Sequence, residues 1–156
     1  MINGGVSRFK NLCVITFISD IVSRIAMGKI FLSGIIVKGL GEGTYFMSMQ
    51  HYQNEIKKKL GFKPYPGTLN LKVGKKQINL LKKIVPIKIN GFKSVNKTFG
   101  GASCYKAKIK TINSAIIIPD LTKHKDIIEL IAPVHLKSEL KLKDGDKIKI
   151  GLIWQK

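Results

Sequence analysis

The sequence predicts a mainly β fold, a barrel or sandwich of short strands with a few short helices. Apolar and polar residues alternate over short runs, as in Leu69-Asn70-Leu71-Lys72-Val73 and Tyr105-Lys106-Ala107-Lys108-Ile109. Turn signals separate these runs, among them Pro64-Tyr65-Pro66-Gly67, Asn90-Gly91 and Asp144-Gly145-Asp146. Helical periodicity is confined to a few stretches. At 156 residues the chain is most simply one folded domain over residues 29–156, preceded by a leader at 1–28.

In the leader, Val14, Phe17, Ile18, Ile21, Val22 and Ile25 recur with a 3.6-residue period, which predicts an amphipathic helix packed as an appendage. Residues 29–38 are rich in Ile, Val and Phe and read as a strand, and residues 45–48 as its continuation after a glycine loop. Residues 50–60 read as a helix ending at Gly61. Residues 68–73 alternate as a strand, and 74–79 read as a polar connection. Residues 87–89 form a strand before the Asn90-Gly91 turn, and 97–101 are polar and glycine-rich. Residues 104–112 predict a strand with one face of lysines, turning at Asn113-Ser114 into a buried strand at 115–118. Ile127 to Ala132 is apolar around Glu129, residues 136–140 suggest one helical turn, and 147–154 the last strand.

The formal net charge is +19, from 28 Lys+Arg against 9 Asp+Glu. Only Arg8 and Arg24 are arginines. Such a field attracts polyanions and phosphorylated ligands. Lysine is a poor reader of base edges, so no specific nucleic acid is expected. Cys13 and Cys104 are isolated, which fits a reducing cytoplasm. No apolar run is long enough to span a bilayer, so no membrane partner is expected. His51, His124 and His135 lack metal-ligand spacing.

Two stretches carry chemistry. Pro64, Pro66 and Gly67 force a rigid turn, after which Thr68 and Asn70 share one strand face while Leu69, Leu71 and Val73 share the other. A hydroxyl and a carboxamide oxygen side by side suit Mg²⁺ when water and nucleotide phosphates complete its shell. The alternative is an ordinary polar outer face. The second stretch, Gly39-Leu40-Gly41-Glu42-Gly43-Thr44, can form a nest of N–H groups for anions, or a glycine-rich hairpin. It is neither a Walker A loop nor a G-x-G-x-x-G element. Glu129, inside an apolar run, must face solvent, find a partner or bind a ligand.

Taken in order, these pieces resemble the archaeal-type CTP-dependent riboflavin kinases. The matching segments are Gly39-Leu40-Gly41-Glu42-Gly43, Leu60 through Leu71, Phe99-Gly100, Ala115 through Pro119, Thr122-Lys123-His124, Ile131-Ala132-Pro133 and Asp144-Gly145-Asp146, spanning roughly residues 29–153. The resemblance implies a small cradle-loop β-barrel, and the reaction of riboflavin and CTP to FMN and CDP. It implies that Leu40, Gly41, Glu42, Gly43, Thr44 and Tyr45 cradle the nucleotide, with Val134, His135, Leu136 and Lys137 along it. Thr68 and Asn70 would hold Mg²⁺, and Thr122 and Glu129 would contact the flavin. Lys137 stands where relatives commonly have arginine. The general base is unassigned, with Glu129 the candidate. Residues 1–28 are shorter than the helix-turn-helix domain many relatives carry, so direct transcriptional control is not expected. A monomer is expected. The competing reading is a basic nucleic-acid-binding barrel without enzymatic activity, resting on the charge and the lysine-faced strand.

Overall fold

The computed structural model describes residues 27–39, 41–122 and 125–155. The leader with its expected helix lies outside the described residues up to position 26, as do Leu40 and His124; Met27 already belongs to a strand. Strand β1 (Met27–Val37) pairs with the final strand β9 (Lys147–Gln155) from Met27 to Ile35. Its other end pairs with β2 (Leu69–Lys72). From there the ladder continues through β8 (Ile127–Ile131), β7 (Ile112–Pro119) and β6 (Ala102–Ile109). β6 meets β9 at Ala107 and Lys108. Every pairing is antiparallel, and the last one closes six strands into a barrel. Closure decides between the barrel and the sandwich, and leaves these strands no unpaired edge.

Alternation sorts side chains between two apolar clusters. Leu32, Ile36, Leu69, Leu71, Ile116, Ile128, Leu130, Ile150 and Leu152 belong to the first, which fills the barrel. Helices α1 (Glu42–Met47) and α2 (Gln50–Leu60) build the second against the outer wall. There Met47, Tyr52, Ile56 and Leu60 pack with Cys104, Ala115, Ile117 and Ile131. β7 is therefore buried on both faces, which explains its continuous apolar run. Burying Ile56 alone stabilises the fold by about 1.5–3 kcal/mol. Gly61 ends α2 at φ 84°, and its N–H reaches the Lys57 carbonyl at 3.1 Å.

Several local expectations change. Residues 45–47 are helical in α1 rather than strand, because Gly41 turns the chain at φ 84° and Phe46 and Met47 then pack beside Tyr52. Most of the expected connection at 74–79 lies in α3 (Lys75–Lys82), a solvated helix whose buried residue is Leu81. β3 (Ile87–Ile89) pairs with β6 as an added strand. Beyond it, β4 (Phe92–Ser94) and β5 (Lys97–Phe99) form a separate hairpin. The turn after β6 falls at Lys110-Thr111, with Lys110 at φ 54°, while Ser114 is buried inside β7. The short helix α4 (Leu136–Glu139) and the turn at Gly145, φ 92°, stand where the sequence places them.

Candidate active site

One row of strand partners defines the site. Val37 lies opposite Asn70, Asn70 opposite Glu129, and Glu129 opposite Ile117. Leu69 and Leu71 enter the barrel core, so Thr68 and Asn70 face outward as their spacing predicts. The Thr68 hydroxyl donates to Glu129 Oε1 at 3.1 Å. A hydroxyl, a carboxamide and a carboxylate thus meet on one half-buried patch of the outer wall.

The glycine loop lies directly over this patch. A Cβ on Gly39 would collide with Asn70 Nδ2, and one on Gly43 with Thr68 Oγ1. Glycine is favoured at both places by close approach rather than by backbone angle, since a Cβ would displace the Asn70 or Thr68 side chain. The Asn70 amide nitrogen faces Gly39, which leaves Oδ1 directed elsewhere.

The turn before Thr68 is held from two sides. The Tyr65 N–H donates to the Ala132 carbonyl at 2.7 Å, and the Gly67 N–H to the Tyr65 carbonyl at 2.8 Å. The buried Gln53 amide donates to the Pro64 carbonyl at 2.9 Å and also to the Met47 carbonyl. Gln53 thereby ties α1, which continues the glycine loop, to the turn that delivers Thr68. Nothing in the spacing of the sequence marks Gln53 for this role.

A cleft of about 930 Å³ opens over the row. It brings together Gly41, Glu42, Gly43, Thr44, Thr68, Asn70, Thr122, Glu129 and Lys137 from the expected site. Val37, Met47, Ile117, Leu121 and Ile127 supply apolar wall. Tyr45 lines a shallow neighbouring recess with Gly41, Glu42, Phe46 and Lys97. Val134, His135 and Leu136 do not line the cleft. Leu136 is buried in the core, and His135 stands against Tyr65 with ring centroids 5.1 Å apart. Lys137 Nζ pairs with Asp144 at 2.6 Å. Leu40 lies outside the described residues. Gly39, in the glycine loop the sequence singles out, also lines the cleft; sequence reasoning missed Lys38 and Lys97, the latter because it depends on an unforeseen hairpin.

Cys104 offers no nucleophile, since burial pushes its thiol up to about 12. Burial also raises the Tyr52 phenol above its ordinary value, and its hydroxyl donates to the Gly100 carbonyl at 2.6 Å. Among the described residues no group of three or more His, Cys, Asp or Glu side chains could hold a metal. A donor set of hydroxyl, carboxamide and one carboxylate needs oxygens from a ligand to complete a shell.

The family described as "CTP-dep_RFKase: Domain of unknown function DUF120" matches residues 36–152. The chain belongs to this family of riboflavin kinases. The match runs from within β1 to within β9 and so contains the whole row and its cleft. Riboflavin kinase of Methanosarcina acetivorans is 45% identical over 121 residues, covering 75% of this chain and 51% of that protein. Riboflavin kinase of Methanocella arvoryzae is 44% identical over 126 residues, with 80% and 58% covered. Riboflavin kinase of Pyrobaculum aerophilum is 38% identical over 138 residues, with 86% and 66% covered. The chain spans about half the length of the first of these relatives. Among the described residues no helix is long and apolar enough to cross a membrane.

Proposed function

We propose that this chain transfers the γ-phosphate of CTP to the 5′-hydroxyl of riboflavin, giving FMN and CDP. The observation that carries the reading is the close packing of Gly39 and Gly43 onto Asn70 and Thr68, beside Glu129, at the floor of the cleft. Kinase names among the relatives and the family's CTP-dependent description support the same reading. A cleft of this volume suits a small-molecule ligand, and its apolar wall suits a planar ring system.

Phosphoryl transfer needs alignment and charge neutralisation more than covalent help. Thr68 Oγ1 and Asn70 Oδ1 are hard oxygens that fit Mg²⁺, with Glu129 close enough to add a carboxylate or to orient Thr68. Bound there, Mg²⁺ would offset charge on the phosphate oxygens. The glycine loop binds phosphate through backbone N–H groups. In the transfer, the ribityl oxygen bonds to the γ-phosphorus as the bond to the β-bridging oxygen breaks. The hydroxyl proton passes to Glu129, the candidate base, and then to water. Thr122 and Glu129 would contact the flavin.

The test is incubation with riboflavin, Mg²⁺ and either CTP or ATP, followed by separation of FMN. FMN formed with CTP, and far less with ATP, is the expected result. Equal yields from both would remove the donor assignment, and no FMN from either would remove the kinase reading.

A further inference from the structure

The cleft has an unusual supply of cations. Among the described residues the positive charge lining the cleft comes from lysines. These are Lys38, Lys97 and Lys137. Lys137 is engaged by Asp144 at 2.6 Å. Lys97 makes no ion pair among the described residues. Its ammonium instead lies 5.7 Å from the Tyr45 ring centroid and 5.2 Å from that of Phe99.

The difference matters physically. A carboxylate neutralises an ammonium, whereas an aromatic face holds it in place and leaves its charge and N–H donors available. The Phe99 ring is itself braced. Phe99 stacks on Phe92 at 4.6 Å, and Phe92 stands 4.6 Å from His51 and 5.7 Å from Tyr52 on α2. The Asn90 N–H before the hairpin donates to Glu55 Oε2 at 3.1 Å, and the Asn90 carbonyl lies 2.8 Å from His51 Nε2. Lys97 is thus positioned by a braced hairpin and lines both the main cleft and the recess beside Gly41 and Glu42.

We propose that Lys97 is a phosphate-contacting residue of the nucleotide site, meeting the polyphosphate of a nucleoside triphosphate from the hairpin side, beside the glycine loop. This rests on the nucleotide-dependent kinase reading above. An exposed ammonium is a point charge that follows the phosphates without requiring bidentate geometry. Its contribution grows with the number of phosphates, which separates it from a contact to base, ribose or flavin.

The experiment measures binding of CTP, CDP, CMP and riboflavin to the full chain by calorimetry, for the wild type, Lys97→Met and Lys97→Arg. Lys97→Met is expected to weaken CTP by about tenfold, the scale of one charge-assisted contact. The loss should be smaller for CDP, near zero for CMP and absent for riboflavin, and Lys97→Arg should recover most of it. An unchanged CTP affinity in folded Lys97→Met, or an equal loss for CMP or riboflavin, would overturn the proposal. FMN formation is measured alongside. Wild type that binds CTP through Lys97 but makes no FMN would remove the kinase reading alone. Active wild type with unchanged CTP binding in Lys97→Met would remove the Lys97 assignment alone.

Discussion

The outer faces of β2 and β6 obey the same rule and come to different ends. Both strands put apolar residues into the barrel, Leu69 and Leu71 from one, Ala107 and Ile109 from the other. Both put polar residues outside, Thr68 and Asn70 beside the first, Lys106 and Lys108 on the second. Lys106 and Lys108 are left in solvent. Thr68 and Asn70 lie under a glycine loop so close that it has no room for a methyl group, and Glu129 stands next to them. Alternation by itself makes a polar face. What turns one such face into a site is the cover laid over it and the charge placed beside it.

The largest effect is expected at the cover. Gly43→Ala places a methyl group against Thr68, whose β-branched side chain has few other rotamers. Alanine is also the better helix former in α1 by about 1 kcal/mol, which offsets part of the clash in stability. Turnover is expected to fall on the order of 10²-fold, the scale of losing one transition-state contact, while the melting temperature moves far less. Steady-state FMN formation beside a thermal melt checks this, and normal turnover would mean that the loop lies open over Thr68.

A smaller effect is expected one step away. Gln53→Met keeps the volume of the side chain but removes both donors, leaving the Pro64 and Met47 carbonyls unpaired in a buried place. Stability should drop by about 1–3 kcal/mol. The KM for nucleotide should rise more than the KM for riboflavin, because the glycine loop and the Thr68 turn lose their common tie. Equal changes in both constants would make Gln53 a general packing residue.

The smallest effect on catalysis belongs to β6. The double change Lys106→Gln, Lys108→Gln should leave kcat unaltered. It should weaken any binding to mixed-sequence DNA and flatten its salt dependence, since each phosphate contact adds to the slope. Retained DNA affinity would locate polyanion binding elsewhere. A marked preference for one duplex sequence in the wild type would favour the nucleic-acid-binding alternative.

Much of the fold was legible because long or strongly periodic segments carry their own signal. β1, α2, β2 and β9 stand where their patterns put them, and α2 stops at the glycine the sequence offers. The failures have physical reasons. Tyr45 and Phe46 are strand-prone, yet packing beside Tyr52 makes that segment helical. Lys75, Lys76, Gln77 and Asn79 look like a loop because α3 fully buries only Leu81, with Ile78 and Leu80 half-buried against the core. The hairpin of β4 and β5 is too short and exposed to show a period.

In the candidate site, the shared face of Thr68 and Asn70 was legible from a two-residue period after a rigid turn, and Glu129 as an acid in an apolar run. Their meeting was not, because the register that sets Asn70 opposite Glu129 depends on strands nearly 60 residues apart in sequence. Lys97 was hidden with its hairpin.

Thr68 and Asn70 are proposed to supply oxygens through which Mg²⁺ would engage the nucleotide phosphates. FMN formation with CTP across a Mg²⁺ titration tests it in the wild type, Asn70→Ala and Thr68→Val. Thr68→Val keeps the β-branched shape and deletes the oxygen. The expected result is a fall in kcat/KM of about 10²-fold or more in each variant at limiting Mg²⁺, with unchanged melts and intact riboflavin binding without nucleotide. Near-normal turnover at limiting Mg²⁺ in both folded variants would contradict it and return this face to the ordinary polar side of a strand.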